Sequence, residues 1–222
     1  MRWALLAAAG LAACGGPAAD LRLAADLTTP TDVELRWSGG PPDRAGQVVE
    51  FATEPDGRYT ILQFAPSGQV TYHHPDLIPE TAFYYRVRPY FGPASDPVDV
   101  ALPPGPLDES APHDWADPRT VGRAADPRPV RDARARPTRL VATVMHANGV
   151  RFTWADHASD EEGYLLEMRV AGRREWTVAA VLDADVNSFG IVTQPTEKRA
   201  SYRVRAFRYG PASNVVSERT GR

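Results

Sequence analysis

Apolar and polar residues alternate along several short stretches of this chain. Val33, Leu35 and Trp37 are separated by Glu34 and Arg36, and side chains with a period of two point to opposite faces of a β-strand. Further short runs rich in β-branched and aromatic residues follow at 48–51, 59–62, 70–72 and 84–87, with turn-forming clusters between them. No stretch shows a convincing helical period. The pattern therefore predicts an all-β protein built from short strands.

The same pattern occurs twice. The Val33-x-Leu35-x-Trp37 motif recurs 117 positions later as Val150-x-Phe152-x-Trp154. The same shift carries Tyr85-Arg86-Val87-Arg88 onto Tyr202-Arg203-Val204-Arg205. Agreement at so many bulky positions in one register indicates an internal repeat, so we expect two copies of one structural unit.

Each repeat is predicted to fold as one β-sandwich, because a block of roughly 100 residues with regularly spaced short strands suits that architecture. We assign the first sandwich to residues 14–102 and the second to residues 137–222. Aromatic residues that recur in register are taken as markers of the two cores; they are Trp37, Tyr85, Trp154, Trp176 and Tyr202.

The order of the aromatic residues resembles the fibronectin type III fold, which is immunoglobulin-like. A tryptophan lies on the second predicted strand, an aromatic residue (Tyr59 or Trp176) on the fourth, and a Tyr-x-Val motif on the sixth, followed by Gly-Pro-Ala-Ser. The tyrosine corner of that family is not reproduced, because Phe83 and Ala200 stand at the matching positions. The resemblance implies tandem sandwiches that bind or space other molecules without catalysis.

A proline-rich segment, residues 103–136, separates the repeats. It has few large apolar groups, so it cannot bury enough surface to offset the entropy lost on ordering. Residues 103–118 carry four acidic residues and no lysine or arginine, whereas residues 119–136 carry six arginines against two aspartates. We interpret the segment as a solvated linker whose charges compensate one another. The alternative is that its arginines dock on an anionic surface and that Trp115 anchors on a domain.

Residues 1–13 resemble the signal peptide of a bacterial lipoprotein. Arg2 precedes an apolar run that is too short to span a membrane. The run ends in Leu11-Ala12-Ala13-Cys14, which is similar to the lipobox in which the cysteine receives a diacylglyceryl group and becomes the mature N-terminus. The alternative is a plain secretory peptide that is cleaved near Ala13.

The lipobox resemblance implies a location. The protein would be exported across the inner membrane and held on the bacterial cell envelope by acyl chains on Cys14. Gly15 follows the cysteine, rather than the aspartate that favours inner-membrane retention in enteric bacteria. We therefore expect attachment to the outer membrane.

Composition excludes several functional classes. The 222 residues include 25 basic and 28 acidic ones, a net charge of −3 that argues against nucleic-acid binding. The single cysteine excludes a disulfide framework and a thiolate metal cluster. No apolar run reaches the ~20 residues of a spanning helix, which excludes a multi-pass membrane protein. We expect a monomer.

The sequence contains no recognisable set of catalytic residues, because a nucleophile elbow, a P-loop and a dinucleotide-binding motif are all missing. His73 and His74 are adjacent on a predicted strand, so they point to opposite faces and make a poor metal chelate. Four acidic residues of the second repeat could hold calcium but lack the spacing of a calcium loop; they are Asp156, Asp160, Glu161 and Glu162. We expect no enzyme activity, no cofactor and no bound metal.

Alternating arginines on the sixth predicted strand of each repeat form a basic-aromatic surface with nearby tyrosine and phenylalanine residues. The arginines are Arg86, Arg88, Arg203 and Arg205. One interpretation is cross-strand pairing with Glu50 and Glu167. The other is a binding surface for an anionic polymer or a protein.

These observations favour a lipid-anchored, non-catalytic envelope protein that binds or spaces a partner through tandem fibronectin type III domains. The partner would be an envelope protein or a surface polysaccharide. The alternative is a carbohydrate- or peptidoglycan-binding accessory module of an envelope enzyme system, which would present an exposed row of aromatic residues.

Overall fold

The computed structural model describes residues 20–105, 113–122 and 126–222. The predicted signal peptide and Cys14 lie outside these ranges. The described residues form fourteen strands and three 3-10 helices of one turn, and no helix among them is long and apolar enough to cross a membrane. The strands are β1 Arg22–Thr29, β2 Asp32–Ser38, β3 Gly46–Ala52, β4 Thr60–Pro66, β5 Thr71–His74, β6 Ala82–Phe91, β7 Val98–Ala101, β8 Thr138–His146, β9 Gly149–Ala155, β10 Gly163–Val170, β11 Thr177–Leu182, β12 Ser188–Val192, β13 Arg199–Tyr209 and β14 Val216–Arg219. The predicted all-β fold is confirmed.

The first repeat forms a sandwich of two sheets. One sheet has the order β1-β2-β5, and the other contains β4, β3 and β6 side by side. Val33, Leu35 and Trp37 of β2 pack with Tyr85 and Val87 of β6 in one core, and none of the five is more than 4% exposed. Alternation along β2 thus buries one face of the strand, as the sequence pattern predicts.

The second repeat forms an equivalent sandwich. Its sheets have the orders β12-β9-β8 and β11-β10-β13. Val150, Phe152 and Trp154 of β9 pack with Tyr202 and Val204 of β13. The ring centroids of Phe152 and Tyr202 are 4.8 Å apart, close enough for a direct aromatic contact.

The last strand of each repeat pairs with the other repeat. β7, which ends the first repeat, runs antiparallel to β13, with Val98 opposite Tyr202. β14, which ends the second repeat, runs antiparallel to β6, with Val216 opposite Tyr85. Because the two pairings occupy equivalent positions in the repeat, a single chain has the arrangement of a strand-exchanged dimer.

The crossing occurs at the repeated Gly-Pro-Ala-Ser motif, residues 92–95 and 210–213. The N–H of Ser95 donates to the carbonyl of Val204 at 2.8 Å, and the Ser95 hydroxyl accepts from the Val204 N–H at 3.1 Å. Ser213 makes the same two bonds with Val87, at 2.8 and 3.0 Å. Gly92 has a φ of +137° and lies so close to the backbone of β13 that a side chain would collide with it.

The final strand of each predicted domain packs in the other sandwich. Val98 and Val100 of β7 pack in the core of the second sandwich, and Val216 of β14 packs against the core of the first. The described residues 20–102 contain β7 and residues 137–222 contain β14, but each of these strands completes a sheet of the other sandwich. The ends of β6 and β13 also pair directly, so one sheet continues through both sandwiches.

The described residues of the predicted linker pack against the second sandwich. The ring of Trp115 lies over Gly149 and Gly190, where a Cβ atom would be 2.7 and 2.5 Å from it. The backbones of Arg119 and Ser188 exchange hydrogen bonds of 2.9 and 3.0 Å, which adds a bridge beside the edge strand β12. Trp115 thus anchors on a domain, as the alternative interpretation expected.

Residues 126–136 are also held by the folded body. Val130 and Ala135 are at most 1% exposed and belong to the second core. Arg131 lies 3.6 Å from Asp43 and covers the ring of Phe91 at 4.0 Å, both in the first sandwich. The segment therefore differs from the solvated tether expected from composition, because its few apolar residues fill places in the core.

Candidate functional site

The outer faces of β6 and β13 meet between the sandwiches. Alternate residues of β6 and β13 point away from the cores; they are Arg86, Arg88 and Tyr90 on β6, and Arg203, Arg205, Phe207 and Tyr209 on β13. The guanidinium of Arg88 lies 4.2 Å from the ring centroid of Tyr209, and the rings of Phe64 and Phe207 are 5.6 Å apart. These contacts cross from one sandwich to the other, so the basic-aromatic residues form an internal interface.

In the first repeat, the carboxylate of Glu50 neutralises two arginines. Glu50 lies directly opposite Arg86 on the neighbouring strand, and Nε of Arg86 donates to it at 2.7 Å. Arg88 lies 3.9 Å from the same carboxylate. Glu50 is only 4% exposed, so it depends on these cations for compensation in the interior.

Glu167 repeats the arrangement in the second sandwich. It accepts hydrogen bonds from Arg203 and, at 2.8 Å, from Nε of Arg205. Burial lowers the pKa of Arg203, and the charge of Glu167 counteracts this effect. The structure thus brings the four predicted arginines together as cross-strand ion pairs. It does not present them as a free basic surface, because their side chains are at most 27% exposed.

Four of the five predicted core markers lie in the cores: Trp37, Tyr85, Trp154 and Tyr202 are at most 5% exposed. Trp176 does not. Its half-buried ring lies near the surface, with the guanidiniums of Arg169 and Arg203 over it at 4.7 and 4.2 Å. Trp176 directly precedes β11 and its equivalent Tyr59 directly precedes β4, and both rings stack with arginine instead of packing in a core.

An apolar cluster closes the space between the sandwiches. Tyr90, Leu165 and Phe207 are its buried members, and Phe64 and Tyr209 pack against them. Burial raises the pKa of Tyr90 to about 12 and that of Tyr209 to about 12. Both phenols therefore remain neutral at physiological pH.

A groove lies beside this cluster, between β4 and β11. Among the described strands, β4 pairs only with β3 and β11 only with β10. Successive residues of both strands line the groove, which means that the strand edges face it, since a face would contribute alternate residues only. The groove comprises two adjoining cavities of about 560 and about 590 Å³. Residues 61–64 and Pro66 line one side, residues 175–181 line the other, and Tyr90, Glu167 and Arg203 line its inner end.

Sequence reasoning did not single out this groove. β4 and β11 contain no charged residue, although 24% of the chain is charged. β4 and β11 occupy equivalent positions in the two repeats, and their shared lack of charge is the sequence feature that could have indicated the groove. The two edges face each other across one groove because of the way the sandwiches pack, and no local sequence pattern indicates that packing.

The acidic group predicted for calcium is divided by the fold. Asp156 and Glu161 approach Asp185, with one oxygen of each within 4.8 Å of the others, whereas Asp160 forms an ion pair with an arginine of β13 and Glu162 is exposed. Burial raises the pKa of Glu161. Three carboxylates could contribute oxygen ligands to a hard cation. A calcium site uses roughly six to eight oxygen ligands in total.

The adjacent histidines lie in different surroundings. The exposed His73 lies 3.6 Å from Glu34, whereas Nδ1 of the half-buried His74 lies 3.1 Å from the hydroxyl of Tyr85. Burial lowers the pKa of His74. The two rings therefore offer no shared ligand site.

Comparison with known proteins finds structural neighbours but no sequence family. No protein-family model matches the chain, and no curated protein is a significant relative. A segment of two fibronectin type III domains from chicken tenascin is 11% identical, covering 92% of this chain and all of that one, with a TM-score of 0.29. The FN1–FN3 domains of chicken CNTN1 are 14% identical over 93% of this chain and 68% of that one, with a TM-score of 0.28.

Proposed function

We propose that this protein is a lipid-anchored, non-catalytic binding module of the bacterial cell envelope. The observation that carries the proposal is the reciprocal exchange of β7 and β14, which joins two sandwiches into one body. Such a body offers fixed grooves and edges rather than a hinged pair of domains. Its charged interface residues are already taken up by ion pairs, and this arrangement suits a scaffold better than a reaction centre.

The anchor is proposed from the Leu11-Ala12-Ala13-Cys14 motif. Two acyl chains, at ~0.8 kcal/mol per buried methylene, support stable attachment where one chain would be marginal. Cys14 and Asp20 are six residues apart, a stretch that spans at most about 20 Å when fully extended. The first sandwich would therefore act close to the membrane surface. That membrane would be the outer membrane, because Gly15 replaces the aspartate that favours inner-membrane retention.

The alternative role in carbohydrate or peptidoglycan binding gains no support from the described residues. Sugar rings stack on exposed aromatic faces, and every aromatic residue in the described ranges is buried or half-buried. The half-buried ring of Trp176 has guanidiniums over it. We therefore keep a protein partner as the proposal.

The anchor is tested by Cys14→Ala in the full chain. We expect the wild-type protein to partition into detergent and to carry a diacylglyceryl mass, and the variant to be released into the soluble fraction. Thr28→Ala, a change at an exposed position, serves as the matched control. A Cys14→Ala protein that still sediments with membranes as the wild type does would refute the anchor.

A further inference from the structure

We propose that the groove between β4 and β11 binds one extended segment of a partner protein, which adds as a strand to a free sheet edge. The segment would be uncharged, five or six residues long, with apolar side chains at alternate positions. This inference deepens the binding role proposed above and does not depend on the lipid anchor.

The first argument is the lack of protection on the two edges. Folded proteins guard exposed strand edges with charges, prolines or covering segments, because unpaired backbone N–H and C=O groups recruit other strands. β4 and β11 carry no charge, and only Pro66, at the end of β4, is a proline. Ile61 is 42% exposed and Val181 is 49% exposed beside these edges.

Other edge strands in the described ranges are protected. β1, β7, β8 and β14 each carry at least one charged residue. β5 pairs only with β2 and carries no acidic or basic residue other than histidine, but it is only four residues long, and short edge strands recruit other strands poorly. β12 is uncharged like β4 and β11, but Trp115 and the backbone of Arg119 lie against it. The chain therefore covers the uncharged edge of β12 with its own linker, while no described segment pairs with the longer uncharged edges of β4 and β11.

The second argument is the chemistry of the groove. Its floor is continuous with the interface between the sandwiches, because Phe64, Tyr90 and Val178 of the apolar cluster line it. A strand sends alternate side chains to one face, so every second residue of a bound segment would pack on this apolar floor. The charged lining is balanced, since Glu167 and Glu175 are matched by Arg174 and Arg203. An unpaired charge in the segment would thus be desolvated there without compensation.

The third argument concerns the shape of the occupant. Strand edges wall the groove on both sides, so a single strand can enter it, whereas the edge of a second sandwich brings a second sheet about 10 Å away. A lone extended segment also repeats N–H and C=O groups in register with those of a strand edge, whereas the hydroxyl groups of a sugar chain do not follow that repeat. The geometry thus favours an extended peptide over a second copy of this chain or a glycan.

The test pans a phage library of random twelve-residue peptides against the full-length chain. We expect enrichment of uncharged cores with alternating Val, Ile, Phe or Tyr. Enriched peptides are labelled with fluorescein, and binding is measured by fluorescence anisotropy. N-methylation of single backbone amides should lower the affinity at least tenfold at every second core position, because strand pairing uses alternate amides.

Variants locate the binding. Ile61→Lys and Val181→Lys each place a charge in the groove at an exposed position and should lower peptide affinity at least tenfold. Val144→Lys on β8, at a residue of similar exposure (45%), is the matched control and should bind like the wild type. Thermal melts confirm that each variant is folded. Amide exchange on the wild-type protein gives a second readout, since bound peptide should slow exchange in β4 or β11.

Three results of the peptide experiments would overturn the proposal: no enrichment of any peptide, groove variants that bind peptide as tightly as the wild type, or an affinity that N-methylation does not change. Capture of soluble peptidoglycan glycan strands instead of peptides would favour the carbohydrate role and also overturn it. The Cys14→Ala protein is assayed in parallel. Retained peptide binding with lost membrane association is the result expected if both proposals hold. A Cys14→Ala protein that binds peptide but still sediments with membranes would refute the anchor alone, whereas one that is released from membranes but binds no peptide, like the wild type in the same assay, would refute the groove alone.

Discussion

Tyr85 and Tyr202 occupy equivalent places in the two cores but differ at their hydroxyl groups. The Tyr85 hydroxyl lies 3.1 Å from Nδ1 of His74. Ile191 stands at the position equivalent to His74, and the buried Tyr202 hydroxyl has no hydrogen-bond partner among the described residues. A hydroxyl that is buried without a partner lowers stability, whereas a bonded one contributes to it.

This difference predicts opposite effects of one substitution. Tyr85→Phe should lower the free energy of unfolding by about 0.5–1.5 kcal/mol, the net value of a hydrogen bond. Tyr202→Phe should be neutral or stabilising, because it removes an unsatisfied group and keeps the ring. Urea unfolding of the two variants measures both values, and a Tyr202→Phe protein less stable than Tyr85→Phe would contradict the account.

Glu167 is the residue whose loss should most affect the interface between the sandwiches. Without its carboxylate, Arg203 and Arg205 would keep their positive charges in a largely buried place. Removing one partner of a buried ion pair costs about 3–5 kcal/mol, so we expect Glu167→Gln to approach the lower end of that range. Urea unfolding measures the change. Glu175→Gln, at an exposed position of the same sandwich, should stay within about 0.5 kcal/mol, and a similar value for Glu167→Gln would contradict the prediction.

At the scale of the element, β14 determines the stability of a sandwich that it does not follow in sequence. It pairs with β6, and Val216 packs against the first core. A chain that ends after Ser213 should therefore lose protection in the first sandwich. Hydrogen exchange measures this, and we expect faster exchange in β6 and β2.

The second sandwich of the truncated chain provides the control for this prediction. β13 retains its pairing with β7 in the truncated chain, so exchange in β13 should rise less than exchange in β6. If exchange rose only in the second sandwich, β14 would be pairing in solution with its own repeat.

At the scale of the whole molecule, the exchange of strands couples the two cores. Trp37→Ala should lower stability by about 3–5 kcal/mol, the cost of truncating a large aromatic side chain in a core. Because each sandwich depends on a strand of the other, we expect one calorimetric transition that moves to lower temperature. The calorimetric and van't Hoff enthalpies should agree. A variant with two separate transitions would show that the sandwiches unfold independently, as their order in the sequence suggests.

The sequence by itself determined the local structure and its repetition. Alternation in Val33, Leu35 and Trp37 predicted a half-buried strand, because the period of two depends only on backbone geometry. The repeat at 117 positions likewise predicted two equivalent cores. The pairing of Glu50 with Arg86 could also be expected, since both lie on neighbouring strands of a predicted sandwich and have opposite charges.

Only the tertiary structure decided which sandwich each final strand completes. β7 and β14 are short, and either could pair with its own repeat by the same backbone hydrogen bonds. The choice depends on the path through the Gly-Pro-Ala-Ser crossings and on the packing of Val98, Val100 and Val216. Long-range packing also placed Arg203 over Trp176 and set β4 opposite β11. These neighbours come from distant parts of the chain, so no local sequence pattern indicates that they meet.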